Sequence, residues 1–207
     1  MFLIYKDSFF QSFYSILDNP TFLVHLIVWF CSSILIISVL VDFVLYEENT
    51  NTKNELKSKV ATGNMFWFFA IIYAVLIFNI GKISISFPSI LDILWIIIVI
   101  ISTITNIVWR FYLSNNWANH IKIYNTHTLI IIWPYKIVRH PLYASLIWFC
   151  YWIGFVYSNW LIFVLNTVVF IPMMIYRAKQ EEKMLKERFV DYTKYKEKVW
   201  MFFPKIF

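Results

Sequence analysis

Arg139, His140 and Pro141 stand side by side in PYKIVRHPLY (residues 134–143), where a long apolar run begins. Proline holds the residue before it in extended backbone and fits the first turn of a helix, so the sequence predicts a helix that starts at Pro141 with His140 just outside it. Such an end presents unpaired N–H groups and a partial positive charge. With Arg139 adjacent, it suits an anionic group such as a carboxylate or phosphate. The same residues would also serve a plain headgroup anchor. The next apolar run follows after only YSNW (157–160), too short for anything but a tight helical hairpin. The returning helix therefore brings Arg177, Glu181 and Glu182 back beside Arg139 and His140. Arg177 and Glu181, four apart, could alone be a surface ion pair. Two arginines, a histidine and two carboxylates at one apolar-walled mouth instead suit a zwitterionic ligand, with carboxylates for its cation and arginines for its anion.

The elements that must position these residues are membrane helices. Of 207 residues, 60% are hydrophobic and 14% charged, against roughly 25% charged in soluble domains. Apolar segments at about 21–45, 64–80, 89–109, 141–157 and 159–176 are each near the length that crosses a bilayer. The expected fold is all-α: one integral membrane domain over 1–207, with five transmembrane helices and a cytoplasmic cofactor pocket. The tail from 177 to about 198 is expected to form an amphipathic helix along the membrane face, with Met184, Leu185 and Phe189 on its apolar side. With the N-terminus outside, sixteen of the 18 Lys and Arg fall on inner segments, as the positive-inside rule requires. The C-terminus and the mixed-charge mouth then face the cytoplasm. Orientation accounts for the net charge of +6. Membrane lipids are the expected partners and nucleic acid is not.

Other polar residues have simpler readings. Cys31 and Cys150 lie within apolar runs and read as packing residues. His25, Asn106 and Asn166 read as hydrogen-bonding residues between helices. Trp67, Tyr112, Tyr157 and Trp160 read as interfacial belts. His120, His127 and His140 match no compact zinc pattern, so no metal is expected. With only three Gly, close small-residue crossings are not expected to organise the bundle. No cleaved signal peptide is expected at the N-terminus.

Residues 110–207 resemble the isoprenylcysteine carboxyl methyltransferase family. The resemblance is carried by LSNNW (113–117), THTLIIIWPYKIVRHPLY (126–143), RAKQEE (177–182), YTKY (192–195) and FFP (202–204). RHPxY followed by R-x-x-x-EE is shared with related membrane methyltransferases and sterol reductases; THTLI is the narrower signal. The resemblance implies S-adenosylmethionine as cofactor, held by His120, His127, Thr128, Leu129, Ile130, Tyr135, Arg139, His140, Pro141, Leu142, Tyr143 and Glu181. Arg177 would lie on the substrate side. Two departures stand out: Trp133 occupies the place of a family Gly before PY, and RFVDY is one residue longer than the family's FG-x-EY, so the helix break there is expected to be built differently.

The expected reaction is methyl transfer to the carboxylate of an isoprenylated cysteine or similar lipid-like acid that enters from the bilayer. A carboxylate is already a nucleophile. Catalysis then rests on alignment and water exclusion, with Arg177 orienting the acceptor and Glu182 setting the conformation of Arg177. A phospholipid or small-lipid N-methyltransferase would instead need a base such as Glu182. A non-catalytic protein that binds anionic lipid is the alternative outside enzymes. The membrane could be a bacterial or archaeal plasma membrane or endoplasmic reticulum.

Overall fold

In a computed structural model, the protein is described over residues 20–45, 53–84, 89–113, 129 and 131–203. The described residues form helices without a named strand: α1 (Pro20–Leu45), α2 (Lys53–Ile77), α3 (Ser89–Leu113), α4 (Pro141–Val156), α5 (Trp160–Leu165), α6 (Ile171–Arg188) and α7 (Tyr192–Lys198). A π-helical turn at Asn166–Phe170 joins α5 to α6, making one helical rod from Trp160 to Arg188.

All five apolar segments are helical, but they divide by length. Phe22–Val39, Ile90–Tyr112 and Trp160–Arg188 are long and apolar enough to cross a membrane; Gly63–Ile77 and Pro141–Val156 are shorter. Among the described residues, three of the five expected spans thus have the length of a membrane crossing, and the other two are shorter apolar helices. At 1.5 Å per residue the 16-residue α4 rises only about 24 Å, less than the roughly 30 Å of hydrocarbon. Its proline start and the turn at Tyr157 limit it at both ends.

Packing follows side-chain size and polarity. On α3, Ile90, Ile93, Ile97, Ile101, Ile104 and Phe111 are exposed at helical spacing, while Val99, Thr103 and Asn106 on the other face are buried. An outward apolar stripe is the arrangement a lipid-facing helix needs. The α3 inner face packs most extensively against α4. Phe68 of α2 stacks on Phe170 in the π turn at 4.5 Å between ring centroids. Cys31 and Cys150 are buried free thiols, as expected of packing residues.

Two polar residues bond between elements, buried Asn166 and exposed His25. Asn166 Nδ2 donates to the Ile147 carbonyl at 3.0 Å, and His25 Nδ1 lies 2.8 Å from the Tyr157 hydroxyl. The YSNW hairpin is tight because Asn159 Oδ1 caps α5, accepting from the N–H groups of Leu161 (3.1 Å) and Ile162 (3.4 Å). Its Nδ2 donates to the Ile80 carbonyl at 2.9 Å, which joins this hairpin to the turn after α2. Gly154 makes one close crossing, since a Cβ there would come within 2.9 Å of the Phe163 ring.

The tail differs from the single amphipathic helix expected over 177–198. Residues 177–188 continue the rod, the chain breaks at Phe189–Asp191, and α7 is a separate short helix. After α7 the chain runs beside the residues preceding α4. Val138 pairs with Trp200 in a parallel bridge, and the N–H groups of Arg139 and His140 donate to the carbonyls of Trp200 (2.8 Å) and Met201 (2.9 Å). These bonds make the tail a strap across one end of the bundle.

Candidate functional site

His140 has φ −125° and ψ 65° and stands as the N-cap of α4, with Pro141 in the first turn and no side-chain cap bond. The expected helix start is therefore present, and the N-cap side chain leaves its first-turn N–H groups uncapped. The rod delivers Arg177, Glu181 and Glu182 to the same place, so one buried cluster holds the expected five charged groups and Tyr143.

Two sub-networks share His140. On the Arg177 side, Arg177 Nε donates to the Tyr143 hydroxyl at 2.9 Å and lies 3.7 Å from Glu181 Oε1. The Tyr143 hydroxyl in turn donates to Glu181. Arg177 Nη1 reaches the Met65 sulfur on α2 at 3.2 Å. On the Arg139 side, Glu182 Oε1 accepts from Arg139 Nε at 2.8 Å, and Oε2 accepts from Lys196 Nζ at 2.6 Å. His140 bridges the halves, with Nδ1 3.4 Å from Glu181 and Nε2 3.3 Å from Glu182. Its ring stacks on Tyr143 with centroids 5.6 Å apart, and Phe202 of the strap packs edge-on against it.

Burial sorts these groups. Arg177 and Glu182 keep only 3% of their side-chain surface, whereas Glu181 keeps 23%, which makes Glu181 the carboxylate that opens to the mouth. Arg139 is engaged by the strap itself: Nη1 donates to the carbonyls of Lys196 (3.1 Å) and Val199. Tyr195 of α7 donates to the Tyr135 carbonyl at 2.5 Å.

His140 titrates above its ordinary 6.5: burial opposes its charge, but the carboxylates of Glu181 and Glu182 outweigh burial. A raised pKa in the folded state stabilises the fold fully below pH 6.5, and that contribution is lost as pH rises through the raised value. The thermal midpoint of the purified protein is therefore expected to fall as pH is raised from 6.5 through the raised pKa, and His140→Gln should flatten that fall. A midpoint that rises over this range would contradict the assignment.

The structure brings Tyr135, Arg139, His140, Pro141, Leu142, Tyr143, Arg177, Glu181 and Glu182 to one end of the bundle. Leu129 is half-buried. His120, His127, Thr128 and Ile130 lie outside the described residues. Trp133, in the place of a family Gly, packs its ring edge-on against Tyr112 (5.4 Å) and Trp109 (6.5 Å) at the end of α3. Sequence reasoning missed two partners. Met65 is apolar in an apolar run and carries no signal toward Arg177. Lys196 is one of many tail cations; it directly follows the resembling YTKY stretch (192–195), which is a usable hint.

An apolar groove adjoins this cluster. It is a small, partly open groove between α1, α2 and α4, lined by Leu35, Val39, Met65, Phe69, Leu146 and Phe149 among others. Met65 belongs to both features: its side chain lines the groove and its sulfur accepts from Arg177.

Residues 95–187 match the model of the isoprenylcysteine carboxyl methyltransferase (ICMT) family. The match starts within α3, earlier than the resembling motifs, and stops before YTKY and FFP. No curated protein matches the chain.

Proposed function

We propose, from the isoprenylcysteine carboxyl methyltransferase family that residues 95–187 represent, that this membrane methyltransferase acts on the carboxylate of an isoprenylated cysteine or similar lipid-like acid. Its methyl donor is S-adenosylmethionine. The observation that carries the reading is the Arg177–Met65 contact, because it joins a buried guanidinium to an apolar groove. An amphiphile with a carboxylate head and a hydrocarbon tail needs those two environments end to end. A soluble acid would have no use for the groove.

The residues present fit the donor as well. Its cation finds Glu181, the exposed carboxylate of the pair, and its polar end finds an uncapped helix N-terminus at Pro141. The site residues that resemblance assigns to it include His120, His127, Thr128, Leu129 and Ile130. When bound, S-adenosylmethionine supplies an electrophilic methyl group on a sulfonium.

The chain's own residues then do four things. Arg177, held by Tyr143 and Met65, orients the acceptor carboxylate. Glu181 balances the donor's charge at the mouth. His140 bridges the two carboxylates and keeps both halves of the cluster in register. Phe202 and the strap cover the His140–Tyr143 stack and keep water from it. Glu182 has its oxygens taken by Arg139, His140 and Lys196, which favours an acceptor that needs no general base. The positive-inside bias supports a cytoplasmic position for this end of the bundle.

The experiment is transfer of labelled methyl from S-adenosylmethionine by purified protein to a prenylcysteine analogue or to an amine phospholipid. Label in the analogue is expected. Label confined to the phospholipid amine would overturn the carboxylate acceptor.

A further inference from the structure

Asn106, fully buried near the end of α3, takes hold of the start of α4. Its Nδ2 donates to the Leu142 carbonyl (3.2 Å) and to Ser145 Oγ (2.7 Å), and Ser145 Oγ donates to the same carbonyl at 2.8 Å. Its Oδ1 accepts from Arg110 Nε at 3.1 Å. With the oxygen on Arg110, the amide presents its N–H pair to α4. Thr103, on the same buried face of α3, instead returns its hydroxyl to the Val99 carbonyl of its own helix at 3.0 Å.

Leu142 and Ser145 bracket Tyr143 in the first turns of α4. The Tyr143 hydroxyl accepts from Arg177 Nε at 2.9 Å and donates to Glu181, so it is the part of α4 that fixes the buried guanidinium. A tyrosine hydroxyl stands roughly 8 Å from its helix axis, so a rotation of α4 by about 10° would carry it about 1.4 Å. Such a shift breaks a 2.9 Å hydrogen bond. Apolar packing between helices resists small rotations weakly, whereas a hydrogen bond between them is directional. The two bonds from Asn106, one on each side of Tyr143, therefore set the rotation of α4 where the site needs it set.

We propose that Asn106 is a positioning residue for methyl transfer: it holds α4 in the rotation at which Tyr143 aims Arg177 at the acceptor carboxylate. This role rests on Arg177 orienting the acceptor. Asn106 acts through the first turns of α4 and through Tyr143, not on the reacting atoms.

Two readouts test it in the full chain in detergent: the Arg177 Nε–H resonance in protein carrying isotopically labelled arginine, and methyl transfer from S-adenosylmethionine to a prenylcysteine analogue. Arg177→Lys identifies the resonance by removing it. Asn106→Leu keeps the volume and removes both donors to α4. It is expected to move the Arg177 resonance as Tyr143→Phe does, and to lower kcat by about tenfold to a hundredfold, the cost of misplacing a reactant by about 1 Å. Asn106→Asp keeps an oxygen for Arg110 but loses the same donors, and should lower kcat likewise. In a Tyr143→Phe background Asn106→Leu should lower kcat no further, because the link through which it acts is already cut. Ser145→Ala removes one of the two acceptors and should give a smaller loss of the same kind, which keeps the test if Asn106→Leu fails to fold. A purely structural role would lower the thermal midpoint and leave the kcat of folded protein alone. An unmoved Arg177 resonance in the folded variants, or a kcat that Asn106→Leu lowers equally with and without the Tyr143 hydroxyl, overturns the role. If the wild type transfers no methyl to the analogue, the acceptor reading falls by itself, and the resonance still decides whether Asn106 positions the guanidinium.

Discussion

Arg177→Ala is expected to lower methyl transfer at saturating acceptor by about a hundredfold to a thousandfold, the usual cost of deleting one electrostatic contact to a reacting group. Arg177 is 3% exposed and its guanidinium contacts Tyr143, Glu181 and Met65. It therefore stands at the junction of the polar cluster and the groove. Truncation also removes one partner of Glu181, which keeps Tyr143 and His140, so the stability loss is expected to fall below the roughly 3–5 kcal/mol of breaking a fully buried pair. Thermal unfolding must accompany the rate. Arg177→Lys separates the two effects: it keeps the charge that Glu181 needs but loses the planar fork. It should keep most of the stability and donor affinity while still transferring slowly. If Arg177→Ala keeps normal transfer at saturating acceptor, Arg177 does not orient the acceptor.

Glu182→Gln is expected to release the strap. Glu182 is buried at 3% exposure and accepts from Arg139, His140 and Lys196. An amide offers one oxygen in place of two and turns an N–H pair toward cations. The loss is expected to be on the order of 3–5 kcal/mol, the range for breaking a buried ionic contact, with a correspondingly lower thermal midpoint. Limited trypsin digestion should then cut at Lys194, Lys196 or Lys198 under conditions that spare the wild type. Donor affinity should fall as well, because Arg139 and His140 are the residues through which the strap meets the start of α4. A variant as stable and as protease-resistant as the wild type would show that backbone pairing of 138–140 with 200–201 holds the strap without the ionic cluster.

Much of the site's placement was legible because two local rules act on few residues. Proline fixes the backbone on either side of itself, so His140 outside and Pro141 inside a helix could be read from RHP alone. A four-residue link allows only a hairpin, so the return of Arg177, Glu181 and Glu182 followed from YSNW. Buried Asn106, Asn159 and Asn166 show how the apolar core keeps a few polar residues at helix contacts. The strap was not legible, because its contacts run through backbone carbonyls of Lys196, Val199, Trp200 and Met201. Backbone carbonyls carry no residue type. The groove was hidden for a related reason: α1 and the apolar part of α2 (Gly63–Ile77) are apolar on nearly every face, and periodicity cannot say which faces meet. Length and composition point different ways at α4, which is apolar throughout yet only 16 residues long.

The most direct measurement is the chemical form of the transferred label. Purified protein is incubated with methyl-labelled S-adenosylmethionine and a prenylcysteine analogue, and the product is treated with base. A carboxyl methyl ester hydrolyses and releases the label as volatile methanol, and this is the expected result. Label that stays bound to the acceptor after base would mean transfer to nitrogen or sulfur and would contradict the account, as would the absence of transfer by a folded protein that binds both molecules.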